Sequence, residues 1–146
     1  LYENMKDFDK ALADYSYSLQ LREAPLTYFY RGNVYISLKK YKEAIADLSK
    51  AIEMEPDYFD AYENRATSYR AVKEFDKALT DYTFIIERNP GSAPTYYNRG
   101  VLYLIMKKYD EALSDFEIVK ALDPHDSLRM AKDMEGKIEM INKALR

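Results

Sequence analysis

From Tyr28, the positions Arg31, Gly32, Tyr35 and Leu38 follow one another at steps of three and four residues. That spacing keeps one face of a helix with 3.6 residues per turn. Beyond Lys39 and Lys40 a second face of the same kind runs through Tyr41, Ala44, Ile45, Leu48, Ala51 and Ile52. Pro56 then ends it, because proline has no amide hydrogen for a continuing helix. The pattern predicts an antiparallel pair of helices joined by a short turn, near 26–39 and 42–55.

The pair repeats. Pro56, Pro90 and Pro124 lie 34 residues apart. Tyr28, Tyr62 and Tyr96 keep the same period, as do Tyr35, Tyr69 and Tyr103, and Ala44, Ala78 and Ala112. So does the aromatic set Tyr41, Phe75 and Tyr109. Further helices are expected near 60–73, 76–88, 94–107 and 110–122. Upstream, Tyr2, Phe8, Ala11 and Tyr15 precede Tyr35, Tyr41, Ala44 and Leu48 by 33 residues each, so the first unit lacks one residue before Pro25. It keeps the tail of a first helix (1–6) and a whole second helix (9–22). The units divide as 1–24, 25–58, 59–92 and 93–125, with a terminal segment 126–146. Gly32, Ala66 and Gly100 stand opposite Ala44, Ala78 and Ala112, where two helices can approach closely only if the crossing side chains are small.

The period of 34, the Tyr-x-x-Arg-Gly/Ala-x-x-Tyr run, the central Ala and the closing Pro resemble the tetratricopeptide repeat across residues 1–124. The resemblance implies an all-α, right-handed superhelical solenoid of antiparallel helix pairs with a C-terminal capping helix. Some positions depart from the pattern. Glu23 replaces the closing Pro of the first unit. Ile85 and Val119 replace the small residue matched by Ala51, which predicts looser contacts there. Lys6, Lys39, Lys73 and Lys107 stand near the turn where relatives often carry Gly.

Arg31, Arg65 and Arg99 recur in phase with Asp47, Asp81 and Asp115, each Arg 16 residues before its Asp. Each Arg sits on the apolar side of its helix, where a lone charge is costly to desolvate. Three ion pairs bridging the two helices of a unit are therefore expected. Asp14 has no Arg of its own within the sequence. After Pro124, Asp126 or Ser127 is a candidate N-cap. Leu128, Ala131, Met134, Ile138, Ile141 and Leu145 then form an apolar stripe, predicting an amphipathic helix over 126–145 that covers the last repeat. His125 is read as a turn residue.

Function is expected on the face of each first helix turned away from the core, since stacked helix pairs leave an inner trough. Those faces carry Phe29, Tyr30, Asn33 and Ser37, then Asn64, Thr67 and Arg70, then Tyr97, Asn98, Val101, Leu104 and Ile105. Core packing does not require Phe29, Tyr97, Val101, Leu104 and Ile105 to be apolar, and exposed apolar clusters mark interaction surfaces. Asparagine amides both donate and accept, so Asn33, Asn64 and Asn98 suit an extended peptide backbone. The resemblance implies the same, since some tetratricopeptide proteins hold peptides with such asparagines. One branch of that family grips a chaperone's C-terminal carboxylates with a clamp of Lys, Asn, Asn, Lys and Arg. Asn33 and Asn64 match its asparagines, but Phe29, Pro94 and Asn98 stand where its cations belong, which argues against a chaperone-tail receptor.

Composition narrows the classes further. The 146 residues include 15 Tyr and 6 Phe, no Cys and a single His. Disulfides, thiolate metal sites and Cys nucleophiles are excluded, and a two-His metal site with them. The formal charge of −3 lacks the basic footprint of a nucleic-acid binder, and no apolar run is long enough to span a membrane. Asp9, Glu43, Asp76 and Glu111 recur at helix starts, where carboxylates favour the dipole, so no catalytic residue, cofactor or metal is expected. The reading is a non-enzymatic interaction module presenting a concave groove to a peptide or helix of a partner protein. Its rivals are an architectural spacer of a larger assembly and a co-chaperone-type adaptor. The opening Leu-Tyr-Glu-Asn suggests a piece of a longer chain, and a cytoplasmic setting is expected.

Overall fold

The computed structural model describes the backbone of residues 2–126 and 129–146, with side chains from residue 7 onward. Eight α-helices and no strand occur among the described residues: α1 (Tyr2–Leu21), α2 (Pro25–Ser37), α3 (Tyr41–Met54), α4 (Phe59–Ala71), α5 (Phe75–Arg88), α6 (Ala93–Ile105), α7 (Tyr109–Leu122) and α8 (Ala131–Ala144). They fall into two compact units, 1–81 and 82–146, the division passing through α5. In the first unit α1 packs on α2, α2 on α3 and α3 on α4; in the second, α6 packs on α7 and α7 on α8.

Each helix pair is closed by the same turn. Lys39, Lys73 and Lys107 adopt left-handed backbone at φ 58, 63 and 59. The amide of Lys39 donates to the Ile36 carbonyl and that of Lys40 to the Tyr35 carbonyl, both at 2.8 Å. Lys73 and Glu74, and Lys107 and Lys108, repeat the arrangement on Arg70 and Tyr69 and on Leu104 and Tyr103. This double bond satisfies the carbonyls that a helix end leaves open. Lys6 departs from its three counterparts, because α1 runs unbroken from Tyr2 to Leu21 instead of splitting into 1–6 and 9–22. A left-handed lysine costs about 1–2 kcal/mol.

The cores follow the predicted stripes. Tyr28, Ala44, Leu48, Ala51 and Ala61 are buried together in the first unit. Ile86, Ala93, Tyr96, Ala112, Phe116, Val119, Met134 and Ile141 are buried together in the second. A Cβ added at Gly32 would lie 3.0 Å from Leu48 Cγ, and one at Gly100 would lie 2.7 Å from Phe116 Cε1, so hydrogen there lets the helices close. Ile85 and Val119, at the positions where looser helix contacts are expected, are buried at 2% exposure each.

At the C-terminus the helix starts later than the stripe predicts. Asp126 Oδ1 accepts from the Ala131 amide at 2.8 Å, so Asp126 caps α8 from five residues upstream; Ser127 and Leu128 lie outside the described residues. His125 sits in the preceding turn. Met134 and Ile141 carry the buried face, whereas Leu145, expected on it, lies past the helix end at 55% exposure.

Candidate functional site

The in-phase arginines organise each unit. Arg31 Nε and Nη2 donate to Asp47 Oδ2 and Oδ1, both at 2.7 Å. Arg65 meets Asp81 at 2.8 and 2.7 Å, and Arg99 meets Asp115 at 2.8 Å twice. Each contact is a two-pronged guanidinium–carboxylate pair, the geometry in which Arg differs most from Lys. The remaining Nη1 reaches a hydroxyl on the second helix of the preceding repeat: Ser16 at 3.0 Å, Ser49 at 3.0 Å and Thr83 at 3.3 Å. Each arginine thus ties together three helices. Two tyrosine rings flank it as well, at 5.8 and 6.0 Å for Arg31 (Tyr28, Tyr35), 5.3 and 5.7 Å for Arg65 (Tyr62, Tyr69), and 5.6 and 5.7 Å for Arg99 (Tyr96, Tyr103). The periodic tyrosines therefore both fill the core and offer their ring faces to a cation.

The hydrogen bond to Asp47 raises the Arg31 pKa above its ordinary value, and that to Asp115 does the same for Arg99. At Arg65 burial pulls the value down, but the bond and attraction to Asp81 leave it raised. Burial also pushes the Asp81 carboxyl up against the pull of Arg65. Asp14, the first member of the aspartate series, is exposed.

In the first unit the outward face of α2 and α4 brings Asn33 and Asn64 together: Asn64 Nδ2 donates to Asn33 Oδ1 at 2.7 Å. Tyr30, one turn before Asn33 on α2, stacks its ring on that of Tyr15 at 6.1 Å and stays 45% exposed. Ser37 and Thr67 donate their hydroxyls to the carbonyls of Asn33 and Glu63 at 3.1 Å each, and Arg70 is half-buried near the end of α4. Phe29 is not free surface, contrary to expectation. Its ring meets that of Tyr58 at 4.9 Å and packs on the core.

The second unit corrects the sequence reading in the same way. Tyr97, Val101 and Leu104 pack against the core cluster that includes Met134 and Ile141 of α8, and Tyr97 donates its hydroxyl to Asp133 of α8. The Tyr97 ring also meets that of Phe116 at 6.1 Å, so packing on this cluster accounts for the apolar character of these half-buried residues. Ile105 stays exposed at 48%, and Asn98 is half-buried on α6. Sequence reasoning missed Ser16, Ser49 and Thr83, although they keep the repeat period, and it missed Asp133, which carries no periodic signal. No cluster of three or more metal-ligating side chains occurs among the described residues. No helix among them is long and apolar enough to cross a membrane.

Comparison with known proteins agrees with this architecture. A family profile described as TPR repeat matches residues 32–72, and one described as Tetratricopeptide repeat matches residues 93–126. The mitochondrial import receptor subunit TOM70 of Saccharomyces cerevisiae is 32% identical over 63 residues, 43% of this chain and 10% of the receptor. The chain thus matches about a tenth of that relative's length. Among solved structures, the first TPR of Spaghetti (RPAP3) bound to the HSP90 peptide SRMEEVD is 28% identical at a TM-score of 0.73, covering 83% of this chain and 92% of that one. MamA is 22% identical at a TM-score of 0.78, covering 97% and 86%, a likeness of fold alone. The repeated Tyr, Arg, Gly/Ala and Asp positions build the same helix pair in register, and both family profiles fall on those pairs: the chain belongs to the tetratricopeptide-repeat family.

Proposed function

We propose that this interaction module holds an extended peptide of a partner protein on the outward faces of its first helices. The observation that carries the reading is the Asn33–Asn64 pair. With Asn64 Nδ2 donating to Asn33 Oδ1, the pair keeps the Asn33 amide donor and the Asn64 carbonyl oxygen for a ligand. One donor and one acceptor from adjacent helices complement the carbonyl and amide of a passing peptide unit, whatever its side chain. The exposed part of Tyr30, whose ring stacks on Tyr15, offers apolar surface to a ligand side chain, which gives a preference that the backbone contacts lack. In the second unit Asn98 and Ile105 offer a similar polar and apolar combination.

The RPAP3 neighbour, bound to an HSP90 peptide, supports a peptide as the class of ligand. Phe29, Pro94 and Asn98 supply none of the positive charge that a chaperone tail held by its carboxylates needs, which argues against that ligand. Selection of peptides from a random library on the whole chain, followed by calorimetric titration, tests the reading. Asn33→Ala and Asn64→Ala should each weaken a selected peptide about tenfold, the worth of one to two hydrogen bonds. Undiminished binding by both variants overturns the assignment to this face. Failure to select any peptide favours the architectural spacer.

A further inference from the structure

Helix α8 carries a recess of about 620 Å³ lined by Arg129, Lys132, Asp133, Gly136, Lys137 and Met140. Three cations meet there in a chain whose formal charge is −3. The one carboxylate among them is already engaged: Lys137 Nζ lies 2.6 Å from Asp133 Oδ2, and the Tyr97 hydroxyl donates to the same oxygen. Arg129 and Lys132 are exposed and have no ion-pair partner among the described residues.

Gly136 is the second observation. A glycine inside a helix costs roughly 0.5–1 kcal/mol against alanine. Gly32 and Gly100 have a reason for it, since a Cβ would press on Leu48 or Phe116, but a Cβ at Gly136 would meet nothing within 4 Å. No packing within the chain calls for glycine there, whereas close approach of another backbone would. One turn further, Met140 is 62% exposed, a flexible apolar side chain of the kind adaptable binding surfaces use.

We infer that this recess docks an acidic segment of a partner protein. Its carboxylates meet Arg129 and Lys132, its backbone passes over Gly136 and an apolar side chain rests on Met140. The charge balance selects an anionic ligand. The small set of cations around a single exposed apolar side chain favours a peptide over a lipid surface, which draws on a broad apolar face. The absence of aromatic rings from the lining disfavours nucleic-acid bases, which stack on such rings. The site is distinct from the asparagine face on α2 and α4 and does not depend on it.

Fluorescence anisotropy on the whole chain tests the inference with a labelled peptide in which paired glutamates flank a central leucine. The same peptide with glutamine for glutamate, and vesicles of mixed phosphatidylserine and phosphatidylcholine, serve as comparisons. The acidic peptide should bind, more weakly as salt is raised, and the glutamine peptide and the vesicles should not compete. Arg129→Glu and Lys132→Glu should each weaken it about fivefold, the worth of one exposed ion pair. Gly136→Ala should keep or raise the unfolding midpoint while weakening the peptide several-fold, and Asn33→Ala should leave it unchanged. Equal binding of the glutamine peptide, capture by vesicles in place of peptide, or full affinity in Lys132→Glu or Gly136→Ala would each overturn the assignment.

Discussion

The hydroxyl of Tyr28 donates to the Glu23 carboxylate at 2.7 Å, whereas that of Tyr62, one repeat later, donates to the backbone carbonyl of Pro56 at 3.1 Å. Glu23 and Pro56 hold the same place in the repeat, and the first unit is one residue shorter at this junction. A side-chain oxygen therefore stands in for a main-chain one. The substitution has an electrostatic consequence: the bond to Glu23, with burial and the repulsion of a nearby carboxylate, raises the Tyr28 pKa above the usual tyrosine value. A raised folded-state value adds stability that is fully present below about pH 10 and is lost as pH rises through the raised value. Phenolate absorbance should show Tyr28 among the late-titrating tyrosines. Glu23→Gln should move its titration toward the usual range, and an unchanged titration would contradict the assignment.

Removing one partner of a buried ion pair leaves the other uncompensated. Asp81 is 3% exposed and held by both prongs of Arg65. Asp81→Ala should destabilise the chain by about 3–5 kcal/mol in urea unfolding, while the double replacement Arg65→Met with Asp81→Leu should recover most of that loss. A single variant as stable as the parent would show the pair to be dispensable.

The two helix-crossing glycines should differ under substitution. At Gly100 the added Cβ would fall 2.7 Å from the Phe116 ring, which is fully buried and cannot swing aside; at Gly32 it would fall 3.0 Å from Leu48 Cγ. Gly100→Ala should cost about 1–3 kcal/mol by overpacking. Gly32→Ala should cost less, because an aliphatic side chain yields more easily and alanine returns up to about 1 kcal/mol of helix propensity. Chemical unfolding of the two variants side by side decides the order.

Lysine in left-handed backbone stores strain at three turns. Lys73→Gly should stabilise the chain by about 0.5–1 kcal/mol, since glycine adopts φ near 63 without steric cost. The gain should appear as a higher urea midpoint with no change in slope. A lower midpoint would mean that the Lys73 side chain contributes more than its backbone costs.

The amino-acid sequence alone determined the helix pairs, their period and the residues that face inward. Helical periodicity, proline stops and the Arg–Asp spacing are local or repeated signals, and repetition corrects for noise at any single position. The spacing of Arg31 and Asp47 is legible because both ends of the pair recur in phase. Tertiary structure decided the rest. Phe29, Tyr97, Val101 and Leu104 read as open surface from their place on the helix, yet Tyr58 packs on Phe29 and the core cluster of the second unit partly buries the other three. The covering residues lie outside the helix whose periodicity was being read, so no face pattern within that helix reports them. The continuity of α1 through Lys6 has the same origin. A left-handed turn forms only when the packing it permits outweighs its strain, and that balance is set by what the neighbouring helix can bury.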